Sequence, residues 1–358
     1  MRKFGSKMKA MIAVLTFLVC LGACTNQQES GEADTVVTGS DVESAETTAE
    51  TGEAAQTTLD YSDIKVAILL PGVITDSGWN TVGYNSIQNL TDKYGITADY
   101  VESVPVSDFG SYAKDYAELG YNVIIAHGSQ FADATNEVAA NYPDTTFILS
   151  YASENVSEQP NVICAGPVNE GTMYGLIAGA LTTTDHVAFL GGEDVPIITA
   201  ALEGFTYGVS LTNPDCVVET AYIGSLTDAN KAYEMAIQYI NDGVDVIIGC
   251  ANSAGLGVLQ AADEKDILAV GAVGDQYNVA PDSVVVSVLR DYVTIYDDMI
   301  TKIAADELDD VFYTYTLQQG GCCLSDWHGW DAKLDAEKYQ LIMNTLEGIK
   351  NGTIAEAE

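Results

Sequence analysis

The sequence predicts an α/β protein of two doubly wound parallel-sheet lobes facing each other across a ligand cleft. Three observations lead there. Short apolar runs recur at 65–70, 123–127, 146–151, 162–166, 186–191, 244–250, 268–273 and 284–289, and read as strands buried on both faces. Amphipathic stretches lie between them, near 83–93, 109–119, 132–141, 170–181, 197–211, 228–241 and 254–263. Strand alternating with helix implies right-handed crossovers, and this many strands exceeds one compact sheet. The reading places the first lobe at 61–184, joined by part of the C-terminal region. The second lobe spans 185–290, with crossover and closing segments over 291–358.

The first residues decide the expected compartment. Arg2, Lys3, Lys7 and Lys9 precede an apolar run at 11–20, which is short for a permanent membrane span and has the form of a secretory signal over 1–23. The run ends in Leu21-Gly22-Ala23-Cys24, a box of small residues before a cysteine that resembles the bacterial lipobox. Cys24 would then become a lipidated N-terminus on the extracytoplasmic face of the cell membrane, and two or three acyl chains give a stable anchor. Residues 24–60 read as an acidic tether without Lys or Arg and with too little apolar surface to offset chain entropy. About 36 flexible residues reach roughly 30–35 Å.

Charge limits the partners. The chain has 14 Lys+Arg against 52 Asp+Glu. Four basic residues lie in the signal, so the remainder carries 10 against 52, a net −42. Such a surface repels nucleic acid, anionic lipid and phosphorylated compounds and favours a neutral ligand. The cysteines after Cys24 (Cys164, Cys216, Cys250, Cys322 and Cys323) are odd in number and scattered, which excludes a disulfide scaffold. The first three sit in apolar runs and read as small core residues. The adjacent pair Cys322-Cys323 reads as a strained pair without a redox role.

Ligands of open α/β sheets bind off the carboxyl ends of the strands. The first strand runs into a polar turn containing Asp76, Ser77, Gly78, Trp79 and Asn80, which offers hydrogen-bonding groups and helix N-terminal amides. Trp79 is placed there for stacking on a ligand, with staple-like packing as the alternative. A second turn carries His127, Ser129, Gln130 and Phe131. The turn at 249–255 carries Asn252 among small residues that let the backbone approach a ligand. Arg290 is the only arginine after the signal, and its forked guanidinium suits fixed hydrogen bonding. It either serves the cleft or pairs with an adjacent acid such as Asp291. Candidate ligand-binding residues are Asp76, Ser77, Trp79, Asn80, Ser129, Phe131, Asn252, Asp275 and Arg290.

The turn Asp76-Ser77-Gly78-Trp79-Asn80 resembles the opening motif of the basic membrane protein family of ABC-transporter solute-binding lipoproteins. Segments at 196–209, 244–255 and 270–276, then Ser287-Val288-Leu289-Arg290, continue the resemblance in order, over about 64–303. The resemblance implies the type I periplasmic-binding-protein fold, an ABC permease partner and a nucleoside or nucleobase ligand. It implies that Trp79 stacks on a base, that Asp76 and Asn80 bond its polar edges, and that Asp275 and Arg290 face the sugar. Two departures matter. Val273 stands where the family often has a first acid, and Arg290 replaces a lysine. A sensor that presents ligand to a receptor, or a binder of a sugar or another small metabolite, remains the alternative.

No phosphate loop, nucleophile elbow or zinc-protease pair is present, so neither an enzyme nor a cofactor or metal site is expected. His127, His186 and His328 are far apart in sequence and read as structural. The cluster at 326–330 is expected to cover a lobe, with a cleft or hinge lining as the alternative, and 338–350 to form a closing helix.

Overall fold

A computed structural model describes residues 59–150 and 154–357. The expected signal, Cys24 and nearly all of the tether lie outside the described residues. Within them the chain forms two six-stranded sheets. The first runs β11-β5-β4-β3-β1-β2, from Phe312–Tyr315, Val162–Pro167, Thr146–Ser150, Val123–Ala126, Lys65–Leu69 and Thr97–Val101. The second runs β12-β10-β9-β8-β6-β7, from Cys322–Leu324, Val284–Arg290, Leu268–Val273, Val246–Cys250, His186–Gly191 and Val217–Tyr222. All neighbours are parallel except β12, which lies antiparallel to β10 with Arg290 opposite Cys322.

The central strands carry the core. In β1, β3 and β8 almost every side chain is buried, because helices cover both faces of a parallel sheet. Burying one such Ile or Val contributes about 1.5–3 kcal/mol. The edge strands β2 and β7 are half exposed and mix polar with apolar residues, so periodicity did not announce them. The three-residue β12 is too short to register.

The first lobe's helices are α1 (Trp79–Tyr94), α2 (Phe109–Glu118) and α3 (Ala132–Ala139). α4 (Glu170–Leu181) is buried all round and packs on α5 (Pro196–Thr212). A Cβ at Gly175 would collide with the Phe205 carbonyl, and one at Gly208 with that of Thr172. Only glycine lets these two backbones approach so closely. α4 therefore belongs with the second lobe, and the chain changes lobe at 168–169 rather than near 183–185. α6 (Ala229–Asn241) and α7 (Gly255–Glu264) complete that lobe's crossovers, and α9 (Ala336–Lys350) closes against α4 and α5.

A helix the sequence reading passed over, α8 (Tyr292–Ala305), returns the chain to the first lobe and packs on α1. Its buried residues, Tyr292, Ile295, Tyr296, Met299 and Ile300, follow the helical period. Asp291 caps its first turn by accepting from the Thr294 amide and hydroxyl. Among the described residues no helix is long and apolar enough to cross a membrane.

Candidate ligand-binding site

The carboxyl ends of the two sheets meet at a narrow seam. Its walls are Gly78 and Trp79 from the first lobe, and Gly249, Ala251, Asn252, Ala272, Val273 and Gln276 from the second. The enclosed volume is about 10 Å³, room for no more than a water. A larger molecule reaches these walls only when the lobes part. A hollow of about 300 Å³ lies elsewhere, at the amino ends of β4 and β5, lined by Thr146, Asn161, Asp309 and Asp310 among others. It is the wrong end of the strands for a ligand of this fold.

Trp79 is only 5% exposed. One face of its indole stacks on His127, with ring centroids 3.9 Å apart and 16° between planes. Tyr292 meets the indole edge-on at 5.2 Å. The indole Nε1 donates to the His127 carbonyl at 3.1 Å, and His127 Nε2 lies 2.9 Å from the Trp79 carbonyl. A carbonyl only accepts, so His127 carries its proton on Nε2. Nδ1 then accepts from the Tyr296 hydroxyl at 2.7 Å, and that hydroxyl accepts from Ser150. Burial, aided by the Arg290 charge, lowers the His127 pKa to about 3 against the pull of the Trp79 carbonyl and Asp76, so the ring is neutral at physiological pH.

Asp76 turns its carboxylate onto the start of α1. It accepts from the amides of Gly78, Asn80 and Thr81, from the Thr81 hydroxyl and from the Asn80 side chain. Burial alone would raise its pKa, but these bonds outweigh it and hold the carboxyl below the usual range. Asn80 is buried and also accepts from the Gly72 amide. Both residues thus shape the turn that presents Trp79.

Arg290 does not pair with Asp291. Its guanidinium forms a two-pronged ion pair with Glu170, the first residue of α4, and contacts Cys250 Sγ at 3.8 Å. Its Cζ lies 5.6 Å from the Trp79 ring centroid. Arg290 is 4% exposed and Glu170 5%, so the pair is a desolvated junction between a strand end and a crossover helix. Cys250 beside it has its thiol pushed up to about 12 by burial. The Tyr292 hydroxyl, fully buried nearby, has no hydrogen-bond partner among the described residues. Such an orphan costs about 1–3 kcal/mol.

The remaining candidates separate. Asn252 lines the seam. Ser77 lies beside Gly78, and Ser129 is exposed in the turn after β3. Phe131 is not in the cleft. It is fully buried in the first lobe and stacks on Phe109 at 4.5 Å, because an aromatic gains more from that core than from a polar turn. Asp275 is exposed and binds His328 Nε2 at 2.8 Å, while His328 stacks on Tyr277 at 4.1 Å. The 326–330 cluster thereby covers the second lobe, and Trp330 donates to the Pro281 carbonyl. Residues 151–153 are outside the described residues. Among those described, no group of acids, histidines and cysteines could hold a metal.

Sequence reading named His127 in its turn and read it as structural, but missed Glu170, Gln276, Tyr292 and Tyr296. The helical period at 292–300 could have found the tyrosines. The backbone adds a further mark. Ser77 (φ 52°), Asn252 (φ 43°) and Val273 (φ 72°) adopt the left-handed region around one seam. For the β-branched Val273 that conformation is a genuine outlier, and such strain gathers at functional sites.

A family model described as "ABC transporter substrate-binding protein PnrA-like" matches residues 63–351. Among curated relatives, the "Transcriptional activator protein med" of Bacillus subtilis is 26% identical, covering 72% of this chain and 80% of that protein. The "ABC transporter nucleoside-binding protein BmpA" of Lactococcus lactis is 27% identical, covering 73% and 81%. Among solved structures, an ABC transporter solute-binding protein from Aeropyrum pernix superposes with a TM-score of 0.71 at 18% identity, over 82% of this chain and 92% of that one. A transcriptional activator of the comK gene from Bacillus halodurans gives 0.71 at 20%, over 82% and 100%.

Proposed function

The chain belongs to the family of PnrA-like ABC transporter substrate-binding proteins, and we propose, from that premise, that it captures a nucleoside or nucleobase between its two lobes. It is a binding protein and not an enzyme, acting on the extracytoplasmic side with a permease as partner. Lipid anchoring through Cys24 is part of the same proposal and rests on the Leu21-Gly22-Ala23-Cys24 box.

The observation that carries the ligand reading is the seam. A tryptophan in a capped turn of one lobe faces strained, small-residue turns of the other, at the carboxyl ends of both sheets. The name of the Lactococcus relative points the same way. In this cycle the lobes part, a flat ligand enters between Trp79 and the Gly249–Asn252 turn, and contacts to both lobes favour the closed form. The permease then distinguishes closed from open.

A thermal-shift panel of nucleosides, bases, nucleotides and sugars tests the reading on protein refolded to strip carried-over ligand. A ligand at a hundred times its dissociation constant adds about 2.7 kcal/mol. The expected result is a shift with a nucleoside or base that disappears in Trp79→Ala, each protein measured against its own ligand-free melt. A shift with sugars alone would sink the assignment. A sensing role is the second reading, drawn from the relatives named as transcriptional activators. It predicts a ligand-dependent change in gene expression that persists when the partner permease is deleted.

A further inference from the structure

We propose that the ligand is a free nucleobase and that its riboside is excluded; the inference rests on the seam being the base site. A ribose brings three hydroxyls, each a donor and an acceptor, and each one buried without a partner weakens binding by about tenfold. The described walls of the seam offer little to meet them. Trp79, Ala251, Ala272 and Val273 are apolar, and Gly78 and Gly249 have no side chain.

Three carboxylates stand beside this lining, and each is committed elsewhere. Asp76 caps α1 through five hydrogen bonds. Glu170 holds Arg290. Asp275 turns outward to His328 and to the Tyr277 amide. The same commitment of Arg290 leaves no guanidinium fork for a phosphate, which sets nucleotides aside as well.

The polar side chains in the wall are two carboxamides. Gln276 spends its oxygen on the Ala272 amide at 2.8 Å, which leaves its NH₂ as the group to offer a ligand. Asn252 makes no side-chain hydrogen bond among the described residues and brings both a donor and an acceptor. Donors and acceptors in one plane match the edge of a base, the pairing that Asn and Gln make with adenine.

Calorimetry on the refolded, ligand-free protein with the pairs adenine and adenosine, hypoxanthine and inosine, and uracil and uridine tests this. At least one base should bind tenfold or more tightly than its riboside. A riboside that binds as tightly as its base, or more so, overturns the inference and leaves the broader reading standing. Failure of every base and riboside removes that reading and the inference with it. Two variants probe the walls. Val273→Asp places a carboxylate in the lining at a backbone angle that Asp tolerates better than Val, and should move the base-to-riboside ratio about tenfold toward the riboside. Asn252→Ala should weaken the base about tenfold while leaving the fold, followed by circular dichroism, intact. An unchanged ratio in the first, or unchanged base affinity in the second, counts against the wall assigned to that residue.

Discussion

Helix α4 takes part in two contacts of opposite character. Along its length it meets α5 backbone to backbone through Gly175 and Gly208, a dry contact to which Thr212 adds a hydroxyl donated to the Leu176 carbonyl. At its first residue, Glu170 enters a buried polar junction with Arg290, beside Trp79 and Tyr292. The first contact gains dispersion and tolerates no added atom. The second costs desolvation and is repaid only while every partner is present. Within the second lobe, the end of α4 nearest Trp79 is thus held by groups sensitive to what stands next to them, and the length of α4 by groups sensitive to volume. A binding site whose walls must separate and rejoin is expected at the polar end.

Removing one partner should expose this difference most strongly. Glu170→Ala removes the carboxylate that Arg290 pairs with in this buried junction and should lower unfolding free energy in urea by about 3–5 kcal/mol. The double change Glu170→Leu with Arg290→Met should recover most of that loss, and failure to recover would mean that the pair is structurally irreplaceable. Gly175→Ala at the dry contact should cost about 2–3 kcal/mol, the upper part of the overpacking range, with no second-site rescue among polar residues. A loss under 1 kcal/mol would show that the helices can slide apart and would blunt the contrast.

Titration probes the aromatic stack beside the polar junction. His127 has a folded pKa depressed to about 3, while an unfolded histidine titrates near 6.5. Between these values the unfolded chain binds a proton that the folded one refuses. The stability His127 contributes is complete above about pH 6.5 and falls as pH drops, by about 2 kcal/mol between pH 7 and 5. His127→Gln should flatten that part of the pH profile, and an unchanged slope would place the proton elsewhere. The smallest effect belongs to Tyr296→Phe. It removes the hydroxyl between Ser150 and His127 and should cost about 1 kcal/mol while shifting the Trp79 fluorescence.

Legibility in the sequence followed the same division. β1, β3, β8 and β9 stood out because burial on both faces leaves an unbroken apolar run. β2 and β7 did not, since an edge strand with one wet face reads much like a loop. The Trp79 turn was visible from its local mix of Asp, Ser, Gly and Asn. The partner of Arg290 was not, because Glu170 is 120 positions away and is one of 52 acids with nothing local to mark it. Proximity in sequence pointed instead to Asp291, which the fold uses as a helix cap. Phe131 misled for a related reason: its turn faces the cleft end of β3, but its ring follows the larger apolar surface toward Phe109.

The chain passes between the sheets three times, at Pro167 to Glu170, at Arg290 to Tyr292 and at Tyr315 to Cys322. Neither lobe is therefore a cassette. Exchanging the second lobe for that of a relative would require residues 170–290 and the tail from 322 to move together, with three junctions matched at once. A single recombination event cannot deliver a working hybrid. New ligand preferences in such a chain must arise by point changes in the turns at the strand ends, and Val273 and Arg290 stand at two of those ends.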